Sequence, residues 1–469
     1  MEDKMLKIAT KNINNIASPV MSDADGIVSV TNSGRYIPRR NDNTAENLIT
    51  ARAALKKKYI ESETPIMTKD TMTDWHTSSN FYWSNANNMV CMKTVYASQY
   101  YNTEYSQPRD FSSFSHFRIN VKIDNMSDHS QFYVRFHTSD SAYASFYLLQ
   151  DSTAIFGKGE ITFDKASCII HEGFSWSSVS MIRFYVGRSN NVDSATLYVS
   201  DFYGVVKKPK NAKILFRLDD GLLSVYQGAM PVFRKYNIPA SCYVNPGYVL
   251  PNDHAEHSSY GGNLAMSLVE LKELQAMGWS MCSHTWYHNL YRDPTVPASA
   301  NSPRYKYSQA YADLSATQDW LYDNGFNEGA LCHVYGNHYY NEETFQAEKD
   351  LMLIGFTRHS CQTVFDTLPW GEGVRHIASY DFFQHSTVEG VEVFPRVDDA
   401  ISHGGLTVVM CHRFDDIDDI LPNRQGSVSN QGSIKPETLD LCLSYICSKE
   451  NVDCITAEDL VYATPVALR

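Results

Sequence analysis

The rhythm of apolar and polar positions changes twice along the chain. Residues 1–60 are polar and Asn-rich, and only Ala45, Leu48, Ala51 and Leu55 recur at helical spacing. That spacing predicts a short helix over Thr44 to Ile60, running through Lys56-Lys57-Lys58. The segment reads as a tether or oligomerisation element, with a solvated helix as the alternative. From 61 to 206 the period is two: Phe117, Ile119, Val121 and Ile123 alternate with polar residues. Phe132, Val134 and Phe136 do the same, as do Ile182, Phe184 and Val186, then Leu197 and Val199. Successive side chains of a strand point to opposite faces, so such runs between Asn/Ser/Asp/Gly turns predict an antiparallel β-sandwich.

Lys207-Lys208-Pro209-Lys210-Asn211 reads as a linker, after which short apolar runs alternate with helical ones. Ile214-Leu215-Phe216 and Ala240 to Val244 are strands around a helix from Val225 to Tyr236. Ser267-Leu268-Val269-Glu270 is a capping box opening a helix that Gly278 ends, and Trp279 to Ser283 is the next strand. The rhythm continues through Phe356, Leu406 to Cys411, a helix from Pro436 to Lys449, and Ile455, which leads into a last helix start at Thr456-Ala457-Glu458-Asp459. Repeated β/α units imply a parallel sheet, closed here into a barrel. The expectation is a multidomain chain: a segment 1–60, a sandwich 61–206 and an α/β barrel 207–469.

Composition narrows the function classes. A chain of 469 residues exceeds a single core, and 43% hydrophobic with 20% charged residues describes a globular protein. The formal charge of −13 argues against a general nucleic-acid binder, whose phosphate contacts need a basic surface. Met1-Glu2-Asp3-Lys4 opens no apolar signal region, and no window approaches a membrane span, so membrane insertion is not expected. Action outside the cell then implies non-classical export or carriage on a particle; otherwise the protein is cytoplasmic. The 10 Cys form no C-x-x-C pair, and Cys242, Cys282 and Cys411 lie in apolar runs as buried reduced thiols. Trp75, Trp83 and Trp176 are open to two readings, a glycan-binding surface or sandwich core.

Two stretches carry the chemistry. Phe216-Arg217-Leu218-Asp219-Asp220-Gly221 sets adjacent carboxylates at the end of an apolar run, and His284-Thr285-Trp286-Tyr287-His288 sets two imidazoles four residues apart. Residues i and i+4 share one face of a helical turn, so the two His are expected to grip one ion from there. One Asp and two His suit a divalent metal, zinc first with cobalt, nickel and manganese admitted, and leave the second Asp free as a base.

Residues 213–464 resemble the polysaccharide deacetylase family with the NodB homology fold (carbohydrate esterase family 4-like), a distorted, incomplete (β/α) barrel. Its first motif, T-F-D-D-G, is matched by Arg217-Leu218-Asp219-Asp220-Gly221, with Arg and Leu replacing Thr and Phe; its second, H-[ST]-x-x-H, is matched in full by His284 to His288. The resemblance makes Asp219 the general base and Asp220, His284 and His288 the metal ligands. Leu331-Cys332-His333-Val334-Tyr335-Gly336-Asn337 resembles the third motif without its Arg and Pro. There Tyr335 is implied to lend a backbone N–H to the oxyanion. Leu406 to His412 matches the fifth motif and implies His412 as the general acid. The fourth is best matched near Arg375, which would orient Asp219. His333, His338 and Trp286 are candidates for substrate contact, with exposed loop residues as the alternative for the two His. The polar loop Pro251 to Gly262 is expected over the barrel mouth. Ser194 to Phe202 resembles the last strand of the jelly-roll modules that accompany carbohydrate-active enzymes.

The expectation is a metal-dependent hydrolase removing N- or O-linked acetyl groups from a polysaccharide, such as a bacterial capsular glycan. The different-class alternatives are an inactive glycan-binding protein and a glycan-cleaving depolymerase. The tether and sandwich resemble a bacteriophage tail spike, which implies a virion-tail location and a homotrimer.

Overall fold

The structure is a computed structural model. It describes residues 29–30, 36–37 and 60–461, apart from 73–74, 77, 124–127, 150–156, 166–167, 208–210, 252–256, 261–262, 290–305, 328, 337–339, 359–376, 382–392, 404–405 and 415–433. The expected helix from Thr44 lies outside the described residues except for Ile60, which opens a strand instead.

Two short strands, β1 (Ser29–Val30) and β2 (Tyr36–Ile37), pair with each other. The period-two region forms two antiparallel sheets. In the first, β10 (Gly157–Asp164), β7 (His116–Ile123), β13 (Ala195–Lys207), β5 (Met89–Thr94) and β4 (Phe81–Ser84) lie in that order, and β3 (Ile60–Met67) pairs with β13. In the second the order is β11 (Ile169–Ile170), β9 (Tyr143–Leu149), β8 (His129–His137), β12 (Val179–Arg188) and β6 (Gln99–Arg109). Both sheets contribute to one core. Phe117 and Phe202 of the first meet Phe136 of the second, with Phe117 and Phe136 centroids 4.5 Å apart. Trp75 belongs to this core and stacks on Phe184, while Trp176, against Phe117 and Phe136, and Trp83 pack half-buried against the cluster. Trp75 is thus enclosed in the sandwich, and the other two make their described contacts with its core.

The third region is a curled parallel sheet. From β15 (Ser241–Val244) it runs through β18 (Ser280–Ser283), β19 (Cys332–Val334), β20 (Ile354–Arg358), β21 (Ile377–Asp381) and β22 (Leu406–Cys411) to β14 (Ala212–Leu218) and β23 (Val452–Ile455). All of these pairings are parallel. The curl closes where Arg217 and Leu218 of β14 pair with Ser241 and Cys242 of β15, while β23 pairs with the other half of β14. A strand with helices on one side and a filled barrel on the other is buried on both faces, which explains the unbroken apolar runs of β14 and β22. Ile214, Phe216 and Leu218 pack outward among helix residues such as Phe233 and Leu443; Leu215 packs with Tyr243, Phe356 and Val408.

A hairpin of β16 (Ser259–Tyr260) and β17 (Asn263–Leu264) occupies part of the expected polar loop, where His257 is bonded to Glu270 at 3.0 Å. Cys242, Cys282 and Cys411 are buried and outside any disulfide. No helix among the described residues is long and apolar enough to cross a membrane.

Candidate functional site

All strands of a parallel barrel end at the same mouth, so residues just past their C-terminal ends converge. β14 delivers Asp219 and Asp220, β18 delivers His284 and His288, β19 leads into Tyr335, and β22 delivers His412. The Asp219 N–H is tied across to the Cys411 carbonyl at 2.9 Å, which brings the ends of β14 and β22 together.

Arg217 stands two residues before Asp219, and strand parity puts both on one face. Its Nε donates to Asp219 Oδ1 at 2.8 Å and its Nη2 to Oδ2, with the two side chains 0% and 1% exposed. Burial pushes the Asp219 carboxyl up, but the Arg217 charge and hydrogen bond, with His284 and His412, outweigh it and hold the group below the usual carboxylate range. Asp219 is therefore an ionised carboxylate with a fixed orientation. The chain then turns through two left-handed residues, Asp220 at φ 72° and Gly221 at φ 62°. A non-glycine residue there costs about 1–2 kcal/mol, and the turn is what separates the two carboxylates.

The His pair does not lie on a helical turn. Residues 284–289 form an open bend in which Thr285 (φ 65°) and His288 (φ 55°) are left-handed. The imidazoles meet all the same, with centroids 4.8 Å apart. Groups outside the motif hold the bend. Asn245 Nδ2 donates to the His284 carbonyl at 2.5 Å and the Thr285 carbonyl at 3.1 Å. Asp313 accepts from the Trp286 N–H and from Asn289 Nδ2, both at 2.8 Å. Gly336 lets the following segment come close: a Cβ there would sit 3.0 Å from the Asn289 carbonyl oxygen and 3.2 Å from that of His288.

His284 Nδ1–H donates to the Val334 carbonyl at 3.0 Å, turning Nε2 toward Asp220 Oδ1 at 3.1 Å; His288 Nε2 is 3.5 Å from the same oxygen. Such a backbone bond fixes the ring and its tautomer, as ligating imidazoles require. Burial disfavours charge on His284, yet the bond to Asp220 and the Asp219 and Asp220 charges push its pKa up. Burial and neighbouring His284 bring His288 down to about 4, so its imidazole is neutral at pH 7. Asp220 is held low, burial being overcome chiefly by the His284 hydrogen bond. The ligand atoms of Asp220, His284 and His288 lie within 4.8 Å of one another. One carboxylate and two imidazoles in a pocket that raises the pKa of one of them form a donor set that fits zinc or a similar divalent cation. A second set within the same span, Cys282, Cys332 and Glu458, is wholly enclosed. Burial drives the Cys332 thiol up, which favours the thiol over a ligating thiolate.

His412 Nε2 is 3.9 Å from Asp219 Oδ2, and its side chain is 27% exposed, so it borders both the base and solvent. Tyr335 is fully enclosed; its hydroxyl donates to Glu348 and its ring stacks on Tyr340 at 4.8 Å. His333 is neither at the surface nor in a loop. It lies within β19 at 0% exposure, with Nδ1 3.1 Å from Ser283 Oγ, and burial drives its pKa well down. Trp286 is half-buried on the 284–289 bend. Arg375 and His338 lie outside the described residues. Reading the motifs missed Arg217, Asn245 and Asp313. Arg217 carried a signal: a cation inside an apolar run, in strand parity with the carboxylate two residues on.

Residues 206–354 match the family model described as polysaccharide deacetylase. The chain is 28% identical over 152 residues to YxkH of Bacillus subtilis (strain 168), whose name places it among polysaccharide deacetylases; the match covers 32% of this chain and 46% of that protein. It is 29% identical over 172 residues to the poly-β-1,6-N-acetyl-D-glucosamine N-deacetylase of Staphylococcus epidermidis, covering 35% and 55%. The chain thus spans about half the length of these curated relatives. Among solved structures, a family 4 acetyl xylan esterase from Clostridium thermocellum in complex with a cobalt ion is similar over 55% of this chain and 96% of that one, at 14% identity and a TM-score of 0.30.

Proposed function

We propose that this chain hydrolyses acetyl groups from a polysaccharide, with a divalent metal held by Asp220, His284 and His288. The observation that carries the reading is the juxtaposition of that donor set with a separate, arginine-clamped carboxylate. The polysaccharide deacetylase match over 206–354 supports it.

Asp219 is ionised and oriented by Arg217, so it takes a proton from the attacking water. A bound divalent cation would supply Lewis-acid stabilisation of the developing oxyanion. The backbone N–H of Tyr335 is the proposed second donor to that oxygen, held in place by the enclosed Tyr335 ring. When the carbon–nitrogen or carbon–oxygen bond breaks, His412 gives its proton to the departing amine or hydroxyl, and acetate is released. His412 Nε2 and Asp219 Oδ2 are 3.9 Å apart, beyond a direct hydrogen bond, so a water or the substrate would carry a proton between them.

The substrate class is proposed as an acetylated hexosamine or hexose polymer, a bacterial capsular or surface glycan. The poly-N-acetylglucosamine deacetylase among the relatives favours the N-acetyl form. A virion-tail location and a homotrimer rest on domain order alone, and recovery of the protein in purified virions tests them. The decisive experiment compares acetate release from acetylated polysaccharides by native protein, chelator-treated protein and Asp219→Asn. Acetate only from native protein, with polymer length unchanged, supports the reading. Shortened polymer without acetate would replace it with a depolymerase, and neither metal nor acetate would leave a glycan-binding protein.

A further inference from the structure

Among the described residues, the chemistry above leaves an exposed aromatic at the barrel mouth without a role. Tyr287 lies between Trp286 and the proposed ligand His288, and 53% of its surface is open. Consecutive Cα atoms are about 3.8 Å apart, so the Tyr287 backbone is one step from that of the proposed ligand His288. The ring is also held in place. A Cβ on Gly247 would fall 2.1 Å from Tyr287 Cε1, so the ring packs directly on the backbone of a residue that must lack a side chain. Tyr248 meets the ring edge to face, with centroids 5.4 Å apart and planes at 71°. The Gly247 N–H donates to the Trp286 carbonyl at 2.9 Å, tying the turn after β15 to the bend after β18.

An exposed aromatic ring immobilised beside a reaction centre is suited to one kind of partner. A hexopyranose has an apolar C–H face that an aromatic ring can cover, while its hydroxyls stay in water. Holding the ring beforehand removes the ordering cost of binding. We propose that Tyr287, backed by Gly247 and Tyr248, is a stacking shelf for the pyranose ring next to the one that carries the acetyl group. This rests on the deacetylase reading and deepens it. The shelf makes the enzyme prefer a chain of sugars over a lone acetylated sugar, because only a chain reaches both places.

The test uses the full chain, its Tyr287→Ala, Tyr287→Phe and Gly247→Ala variants, and two substrates: an acetylated hexosamine oligosaccharide and an aryl acetate too small to reach the shelf. Tyr287→Ala and Gly247→Ala are expected to raise KM for the oligosaccharide about tenfold with little change in kcat. The ratio of oligosaccharide to aryl acetate kcat/KM falls by the same factor, and Tyr287→Phe restores it. Unchanged oligosaccharide KM in Tyr287→Ala, or equal losses on both substrates, would overturn the shelf. Titration of wild type and Tyr287→Ala with the oligosaccharide separates the two readings. Tyr287-dependent binding without any acetate release sinks the deacetylase and keeps the shelf. Absence of wild-type binding sinks the shelf.

Discussion

Removing the guanidinium of Arg217 exposes the central electrostatic device of the site. Arg217 and Asp219 are 0% and 1% exposed and joined by two charged hydrogen bonds, one of 2.8 Å. A hydrogen bond to a charged group is worth about 1.5–3 kcal/mol, and breaking a buried ion pair by removing one partner costs about 3–5 kcal/mol. Arg217→Met keeps much of the volume and leaves the Asp219 carboxylate in a dry barrel. The barrel is therefore expected to lose about 4 kcal/mol, read as a shift in the midpoint of urea unfolding. The sign of the pH effect follows from the same pair. Asp219 is depressed by Arg217, so its stabilisation is present above the ordinary carboxylate range and is lost as pH falls through the lower folded pKa. In Arg217→Met that carboxyl rises, and the acid limb of acetate release moves to higher pH. Arg217→Lys, a point charge without the fork, is expected to recover part of the stability but not the acid limb. A double-mutant cycle with Asp219→Asn isolates the pair, because Arg217→Met/Asp219→Asn leaves neither charge unmatched. A coupling energy under about 0.5 kcal/mol, within the additivity of distant sites, would refute the reasoning.

Three further outcomes follow from other contacts. Asp313→Ala frees the Trp286 N–H and Asn289, so the 284–289 bend relaxes and zinc affinity, read by calorimetric titration, falls about 10–100-fold, the range for lost outer-shell support. Tyr335→Phe removes the hydroxyl that donates to buried Glu348 and costs about 1–3 kcal/mol of stability; acetate release survives, since the proposed oxyanion donor is the backbone N–H, and a loss of kcat would argue for the phenol itself. In the sandwich, burial lowers His137 to about 4, against 6.5 for a free imidazole. Below pH 6.5 the unfolded chain takes up a proton that the folded one refuses, so stability is full above that pH and falls toward pH 4, by at most about 3 kcal/mol. His137→Phe flattens the profile between pH 4 and 6.5 in thermal unfolding.

The legible parts of this protein are those written in short-range pattern. Period-two alternation around Phe117 and Phe184 marked the antiparallel sheets, because facing one core imposes that period. The apolar runs of β14 and β22 marked the parallel barrel, because strands buried on both faces have no polar positions to alternate. Spacing and place after apolar strands singled out Asp219, Asp220, His284, His288 and His412, and the structure brings these five side chains together at the strand ends. Trp75 and Trp176 were not legible, since an aromatic in a sandwich has the same local signature whether it faces the core or a ligand. The conformation of the His pair was hidden as well: i,i+4 spacing suits a helix, yet left-handed Thr285 and His288 bring the rings together in a bend held by Asn245 and Asp313 from other elements. The same holds for Arg217, which stood in the sequence as a departure from a motif and became the clamp on Asp219 only when both were enclosed. By itself, then, the sequence determined the alternation of elements and the residue types at the ends of the strands, which depend on neighbours along the chain. The tertiary structure alone decided which charges are sealed together and which ring lies open beside them, because desolvation and pairing depend on residues that only the closed barrel brings into contact.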